Sequence, residues 1–285
     1  MYRVLHRKPT CPGVFFFARY DGRFHNNRLH IVLFALTATL FAFSGIADDT
    51  AVRARTVFEQ YRDTVVTVRA VVGMSFGGSE RESEQEANAT LLDADGLAVL
   101  ALSAIDPMQL MQTYRSDMDD VASRIVSLRI ILSDGTEKPA EVVLRDRHLD
   151  LAFIRLTETP EAPLPHVTFD VIGRPDMFDE VVCIMQYGRV ARRAHAGFVE
   201  RIEMIVERPR LFYAIGDHRA RDMVCSPAFT LDGAFVGVGV MRLTGGGDDM
   251  GRDDMIVIIV PAEQIGALIE QVPPRECSEA ARTMR

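Results

Sequence analysis

The segment that decides the fold is Asp222-Met-Val-Cys-Ser-Pro-Ala-Phe-Thr-Leu-Asp-Gly-Ala-Phe-Val-Gly-Val238. Its apolar residues form two short runs on either side of Asp232-Gly233. An aspartate–glycine pair between apolar runs is a strong signal for a tight hairpin turn. The segment therefore predicts a strand, a turn and a second strand.

Short Val-, Ile- and Leu-rich runs of the same kind extend from about residue 57 to residue 260, which is typical of an all-β sandwich or barrel. A Pro-rich stretch over residues 159–165 divides them into two halves and is interpreted as a linker. We predict two β-barrels that share a cleft, over residues 55–160 and 166–272, with a polar loop over residues 73–86. The predicted strands lie within residues 65–71, 90–100, 126–132, 140–144, 151–156, 181–185, 196–205, 211–215, 228–241 and 255–260.

Two helices are predicted beside this β pattern. Residues 107–125 follow an Asp-Pro pair that can serve as N-cap and first helical residue, and their apolar residues recur at helical spacing. We interpret this inserted helix as a lid on the first barrel or, alternatively, as a surface that binds a partner. Residues 261–271 predict a C-terminal helix that closes the second barrel, and residues 273–285 form a tail. The apolar positions of the inserted helix are Met111, Tyr114, Met118, Val121 and Ile125.

The N-terminal segment has the composition of a targeting signal. The first 30 residues carry six Lys or Arg and one Asp, and an apolar run over residues 31–43 leads to the small residues Gly45 and Ala47. These features predict a secretory signal peptide over residues 1–47, cleaved after Ala47. The alternative is an uncleaved membrane anchor over residues 31–47. Either way the body is expected to be exported, either to a periplasm or out of the cell.

The remainder of the chain is acidic. Without its first 30 residues it holds 26 basic and 39 acidic residues, which gives a net charge near −13. Phosphate binding needs a surplus of Lys and Arg on one face. The composition therefore argues against nucleic acid as a partner.

Residue types that often carry metal or redox chemistry give weak signals here. Cys183 and Cys225 lack the spacing of a metal site or a thiol nucleophile. We interpret them either as a disulfide pair or as two buried, weakly polar side chains. Residues 245–254 are rich in Gly and Asp but lack the spacing of a calcium loop. The sequence therefore predicts no metal and no cofactor.

Two motifs in the first half each combine a tight turn with an apolar strand. The first is Asp95-Gly96, followed by an apolar run that ends at Ser103, seven residues after the glycine. The second is Ser133-Asp-Gly135, followed by Arg145-Asp146 and then by Asp150-Leu-Ala152.

A third motif, Asp222-Met-Val-Cys-Ser-Pro227, stands in the second half and leads into the turn described first. In order and spacing, the three motifs resemble those of the HtrA/Deg group of exported trypsin-fold serine proteases, over about residues 55–272. The third corresponds to the family's Gly-x-Ser-Gly-[Gly/Ser]-Pro. The resemblance implies two six-stranded antiparallel barrels with a C-terminal helix.

The resemblance also implies the positions of a catalytic triad. Ser103 stands at the position of the catalytic histidine, Asp150 at that of the aspartate and Val224 at that of the nucleophilic serine. Serine attack needs a base that accepts the hydroxyl proton, and valine offers neither a lone pair nor a proton. Asp222 replaces the glycine of the oxyanion hole, where a carboxylate would oppose the developing negative charge. These departures together predict lost catalysis.

Three functions remain open at this point. The first is a non-catalytic module that binds an extended peptide or protein in the cleft between the barrels. The second is an active endopeptidase with a displaced nucleophile, Ser226, and a histidine such as His148 or His218 as its base. The third is a structural subunit that docks an active protease through the inserted helix.

Overall fold

The computed structural model describes residues 46–76, 79–108, 122–216, 221–243 and 255–275. Its strands close into two antiparallel barrels of six strands each. The predicted all-β, two-barrel fold is therefore confirmed, and most of the predicted strands are present within a few residues of their expected ends.

The first barrel is closed by pairing between its first and fourth strands. The strand order is β1-β2-β3-β6-β5-β4, and β1 is antiparallel to both β2 and β4. The six strands are β1 Val65–Phe76, β2 Ser79–Leu91, β3 Leu97–Ala101, β4 Ala122–Ile131, β5 Glu137–Asp146 and β6 Leu151–Leu156.

The second barrel is closed in the same way, by pairing between β10 and β7. The strand order is β10-β11-β12-β9-β8-β7. Its β11 packs against β3 of the first barrel, which explains why all five residues of β3 are buried. The six strands are β7 Glu180–Gln186, β8 His195–Val206, β9 Phe212–Ile215, β10 Pro227–Thr230, β11 Phe235–Leu243 and β12 Met255–Pro261.

The polar loop predicted over residues 73–86 is wrong, because most of this stretch belongs to the two arms of a long hairpin. Strands β1 and β2 stay in register from Val65↔Thr90 to Phe76↔Ser79. Many of its residues are charged or small, so the stretch lacks the apolar alternation by which a half-buried strand is detected. The hairpin is long because β4 continues beside β1 as far as Ser75↔Ala122.

The inserted helix predicted over residues 107–125 is described only at its two ends. Pro107 and Met108 are helical, and residues 109–121 lie outside the described residues. Residues 122–125 belong to β4, so the predicted end of the helix is wrong. Pairing with β1, which includes Val72↔Ile125, holds these residues in the extended conformation.

A helix that the sequence interpretation missed precedes the first barrel. It is α1, Ile46–Tyr61, so the barrel begins at Val65 and not at residue 55. The helix packs against the second barrel, although it leads into the first. Tyr61 stacks on Phe229 with ring centroids 4.2 Å apart, and Arg53 forms an ion pair with Asp232.

The C-terminal helix is confirmed as α2, Ala262–Ile269. The residues that follow it return to the first barrel. Arg155 donates a hydrogen bond to the carbonyl oxygen of Pro273 at 2.7 Å, and Arg275 donates one to the carbonyl oxygen of Asp95 at 2.9 Å. The N-terminal helix thus contacts the second barrel, and the segment after the C-terminal helix contacts the first.

The predicted leader over residues 1–47 lies outside the described residues, except that α1 begins at Ile46. Its cleavage and the export of the body stay predictions. Within the described part of the chain, neither helix combines the length and the apolar content needed to cross a membrane.

One carboxylate links the two barrels through arginines on both sides. Glu86 of β2 lies 3.2 Å from the guanidinium of Arg69 on β1 and 2.9 Å from that of Arg193, which precedes β8. Burial raises the pKa of Glu86, but hydrogen bonds from Arg193 and Arg69 outweigh it, so the pKa is lowered. All three side chains are less than a fifth exposed. Removing the carboxylate would therefore leave two poorly hydrated cations without this partner.

We expect the substitution Glu86→Gln to lower the free energy of unfolding by about 2 kcal/mol, because the largely buried Arg193 loses its carboxylate partner, whereas Arg69 keeps Glu137 at 2.8 Å. Urea denaturation at pH 7 would measure this difference. The matched control is Glu80→Gln on the same strand, where the pair with Arg124 is 3.5 Å long and its side chains are 70% and 62% exposed. The control should change the free energy by less than about 0.5 kcal/mol. Equal effects of the two substitutions would contradict the linking role of Glu86.

Candidate functional site

Two of the triad-equivalent residues form a close hydrogen-bonded pair. Ser103 lies in a one-turn 3-10 helix, Leu102–Ala104, that follows β3, and Asp150 directly precedes β6. Because β3 and β6 pair through Ala101↔Leu151, these two residues become neighbours. The Ser103 N–H donates to Oδ1 of Asp150 and the Ser103 hydroxyl donates to Oδ2, both at 2.7 Å.

Asp150 is a buried carboxylate whose charge is only partly compensated. It is 3% exposed. Burial raises its pKa to about 6, although the hydrogen bonds from Ser103, the charge of Arg242 and the N–H of Met241 act in the opposite direction. Its φ of 55° lies in the left-handed region, which Asp tolerates better than most residues. The group therefore titrates at mildly acidic pH.

In the loop that carries Val224, backbone N–H groups donate hydrogen bonds to carbonyl oxygens of the same loop. Residues Arg221–Met223 form a 3-10 turn. The Val224 N–H donates to the carbonyl of Arg221 at 3.4 Å, and the Ser226 N–H donates to that of Met223 at 2.9 Å. Asp222, on the same turn, is exposed. The N–H at position 224, which an oxyanion hole would need free, is thus engaged in its own turn.

Cys225 occupies a glycine position of the family motif and makes a contact that glycine could not. Its φ is 67°, a left-handed conformation that is rare for a residue with a side chain. Its Sγ accepts a hydrogen bond from the Ala101 N–H of the first barrel at 3.3 Å. Burial raises the pKa of the Cys225 thiol to about 12. The thiol is therefore neutral near pH 7 and contributes to the packing between the barrels.

The disulfide alternative for Cys183 and Cys225 is wrong, because both cysteines are unpaired and buried. The Cys183 Sγ contacts the Met223 Sδ at 3.8 Å, and burial raises the pKa of this thiol strongly. The other interpretation, two buried side chains of low polarity, describes them correctly.

Gly239 on β11 supports the Val224 loop, and the sequence interpretation did not single it out. Its N–H donates to the carbonyl of Ser226 at 3.0 Å, and its carbonyl accepts the Cys225 N–H at 2.8 Å. A Cβ at this position would lie 2.1 Å from the carbonyl oxygen of Met223. The alternation Val236-Gly-Val-Gly-Val240 was the available signal, since glycine within a strand often marks close backbone approach.

Within the described part of the chain, the proposed displaced nucleophile Ser226 has no histidine as a hydrogen-bond partner. Ser226 is fully buried, and its hydroxyl lies 3.4 Å from the carbonyl oxygen of Asp222. Among the described histidines, which are His148, His166 and His195, none forms a hydrogen bond with the hydroxyl of Ser226 or Ser103. His218 lies outside the described residues.

A cleft of about 470 Å³ lies between the barrels beside this loop. Its lining combines polar and apolar side chains. Within the part of the chain that the structure describes, no group of three His, Cys, Asp or Glu side chains could hold a metal ion. The polar lining includes Thr67, Glu86 and Asn88 from the first barrel and Gln186, Arg221 and Asp222 from the second.

One edge of β11 opens near the loop. Residues 237–243 pair with β12 on one side, whereas the pairing with β10 on the other side ends at Val238. From Val240 to Leu243 none of the described strands occupies that second side. Backbone groups alternate in direction along a strand, so Met241 and Leu243 direct theirs to the same side as Gly239.

No model of a protein family matches this sequence, and no curated protein matches it. Two closed barrels of six antiparallel strands are consistent with a trypsin-like double barrel. What the chain shares with that class is therefore its architecture.

Proposed function

We propose that the protein is an exported trypsin-fold relative of the HtrA/Deg proteases that binds an extended peptide between its barrels and does not cleave it. The pair formed by Ser103 and Asp150 carries this proposal. Both carboxylate oxygens of Asp150 accept hydrogen bonds from one serine, where an active enzyme would hold an imidazole.

The lack of catalysis follows from three groups at once. The Ser103 hydroxyl cannot act as a base near neutral pH, because it does not share the imidazole pKa of about 6.5. Val224 provides no nucleophile. The N–H of Val224 donates within its own turn, and the exposed carboxylate of Asp222 adds negative charge beside it. Restoring any one of the three groups would leave the other two unsuited to acyl transfer.

Peptide binding is supported by the open edge of β11. An extended peptide that adds to a strand edge forms backbone hydrogen bonds, which need no triad. Leu243 offers such groups at this edge, whereas the Met241 N–H already acts on the Asp150 carboxylate. The affinity would come from the backbone, and the cleft would select the side chains of the peptide.

Two measurements on the purified protein test this proposal. A fluorophosphonate probe, which labels activated serines, should leave the protein unlabelled, and any hydrolysis should be unchanged in Ser226→Ala. Labelling of Ser226, or hydrolysis that disappears with Ser226→Ala, would overturn the non-catalytic assignment and favour the displaced nucleophile.

Peptide binding is tested separately, with a library of unstructured ten-residue peptides. The substitution Leu243→Pro removes an N–H from the open edge, and proline is tolerated at such a position. It should weaken peptide binding about tenfold, which corresponds to one lost hydrogen bond. Leu243→Ala keeps the N–H and is the matched control. The absence of binding to any library peptide, or equal affinities of the two variants, would overturn strand addition.

A further inference from the structure

A second pocket between the barrels shares no lining residue with the cleft. Its volume is about 310 Å³. The first barrel contributes His148 and Leu149, which directly precede Asp150, and the second barrel contributes strands β9, β11 and β12 and helix α2. The pocket therefore lies beside Asp150 but is formed by different side chains.

The pocket has an apolar floor. Leu149, Ile258 and Val260 are buried side chains in its lining, and Leu211 and Phe212 complete the floor. The wall that carries Leu211 is held in place, because Gln264 of α2 donates a hydrogen bond to the Leu211 carbonyl at 2.6 Å. The pocket thus has a fixed apolar interior of a size at the lower end of the range for small-molecule sites, which begins at about 300 Å³.

The rim of the pocket is basic. Arg210, Arg242 and His148 line it, and none of the described lining residues is acidic. Among the described residues, neither arginine has a carboxylate within 4.0 Å. The charge of Arg242 acts on Asp150, but both oxygens of that carboxylate already accept hydrogen bonds from Ser103. Two arginine side chains therefore line an apolar pocket.

We propose that this pocket binds an aliphatic carboxylate, with the carboxylate between Arg210 and Arg242 and the hydrocarbon chain on the floor. A guanidinium can bind a carboxylate through two parallel charge-assisted hydrogen bonds. The volume accommodates a ligand of about ten non-hydrogen atoms, such as octanoate. Its lining shares no residue with the cleft, although Arg242 lies on β11 between Met241 and Leu243 of the open edge.

Two kinds of ligand have this chemistry. One is a free fatty acid, and the other is a peptide whose C-terminal residue has an aliphatic side chain. Both present a single carboxylate next to apolar carbon. A fatty acid would fill the floor more completely as its chain grows to about eight carbons. A peptide would enter only with a free C-terminus.

Isothermal titration calorimetry of the full protein with octanoate tests the proposal. Octanoate should bind, and acetate and octanol should bind at least about tenfold more weakly, because each lacks one half of the ligand. Arg242→Gln should weaken octanoate binding about tenfold, the loss expected for a charge-assisted hydrogen bond. Arg210→Gln, on an exposed loop residue, should also weaken it and does not rely on a substitution within a strand.

The matched control is Arg208→Gln, which removes the same charge from the same segment but does not line the pocket. It should leave the affinity unchanged. A pentapeptide that ends in leucine, with either a free or an amidated C-terminus, distinguishes the two sources. The site is overturned if neither octanoate nor the free peptide binds, or if all three arginine variants bind octanoate equally well.

Discussion

Substitution of Gly239 by alanine is expected to lower the free energy of unfolding by about 3 kcal/mol. The added Cβ would lie 2.1 Å from the carbonyl oxygen of Met223, a backbone atom that cannot move as a flexible side chain can. Forcing extra volume into a packed site costs about 1–3 kcal/mol, and a clash with backbone belongs at the upper end. Urea denaturation followed by circular dichroism would measure the loss.

The control for this substitution is Gly73→Ala in β1. There the nearest atoms to a Cβ lie at 3.4 Å and belong to the side chains of Arg124 and Val126. The change should stay within about 1 kcal/mol, and reduced freedom of the unfolded chain favours a gain in stability. If both variants lost the same stability, the close approach of the Val224 loop to β11 would not be the cause.

The second large effect is expected from Asp150→Asn and depends on pH. The carboxyl has a pKa of about 6 in the folded protein, against about 3.9 in an unfolded chain. Between these values the folded state binds more protons, so this group's contribution to stability is largest at low pH and is lost as the pH rises through 6. Asparagine has no charge to bury. The stability of the variant relative to the wild type should therefore increase by about 2 kcal/mol between pH 4 and pH 8.

Chemical denaturation of both proteins at the two pH values measures this difference, and other titrating groups cancel in the comparison. Ser103→Ala provides the opposite test, because it removes a hydrogen bond to the charged carboxylate. That variant should lose stability at pH 8 and much less at pH 4. A difference between wild type and Asp150→Asn that does not vary with pH would contradict the buried, weakly compensated state of Asp150.

The strands were predictable because their apolar side chains repeat at a period set by the barrel interiors. The prediction of strands failed where the side chains do not face a barrel interior, because the apolar period is then absent. The β1–β2 hairpin is built largely of charged and small residues, so it resembles a loop in sequence. Helix α1 was missed although Ala54, Val57, Phe58 and Tyr61 stand at helical spacing, because its partner surface lies more than 100 residues away along the chain.

The sequence motifs single out the candidate site residues but do not give their contacts. The motifs identified Ser103, Asp150 and Val224 by their order and spacing in the sequence. They could not give the hydrogen bonds between Ser103 and Asp150, the turn that engages the Val224 N–H, or the contact of Cys225 with Ala101. The first depends on the pairing of β3 with β6, the second on the conformation of the turn and the third on how the barrels meet. The basic pocket of Arg210 and Arg242 likewise combines residues from distant segments.

The crossed attachment of the two chain ends has a topological consequence. The segment before the first barrel is bound to the second, through Arg53 and Asp232, and the segment after the second is bound to the first, through Arg275 and Asp95. A single cleavage of the linker would produce two fragments, and each fragment would keep an end segment that contacts the barrel of the other. We therefore expect the two halves to stay associated after a single cleavage of the linker, as the fragments of a complementing protein do.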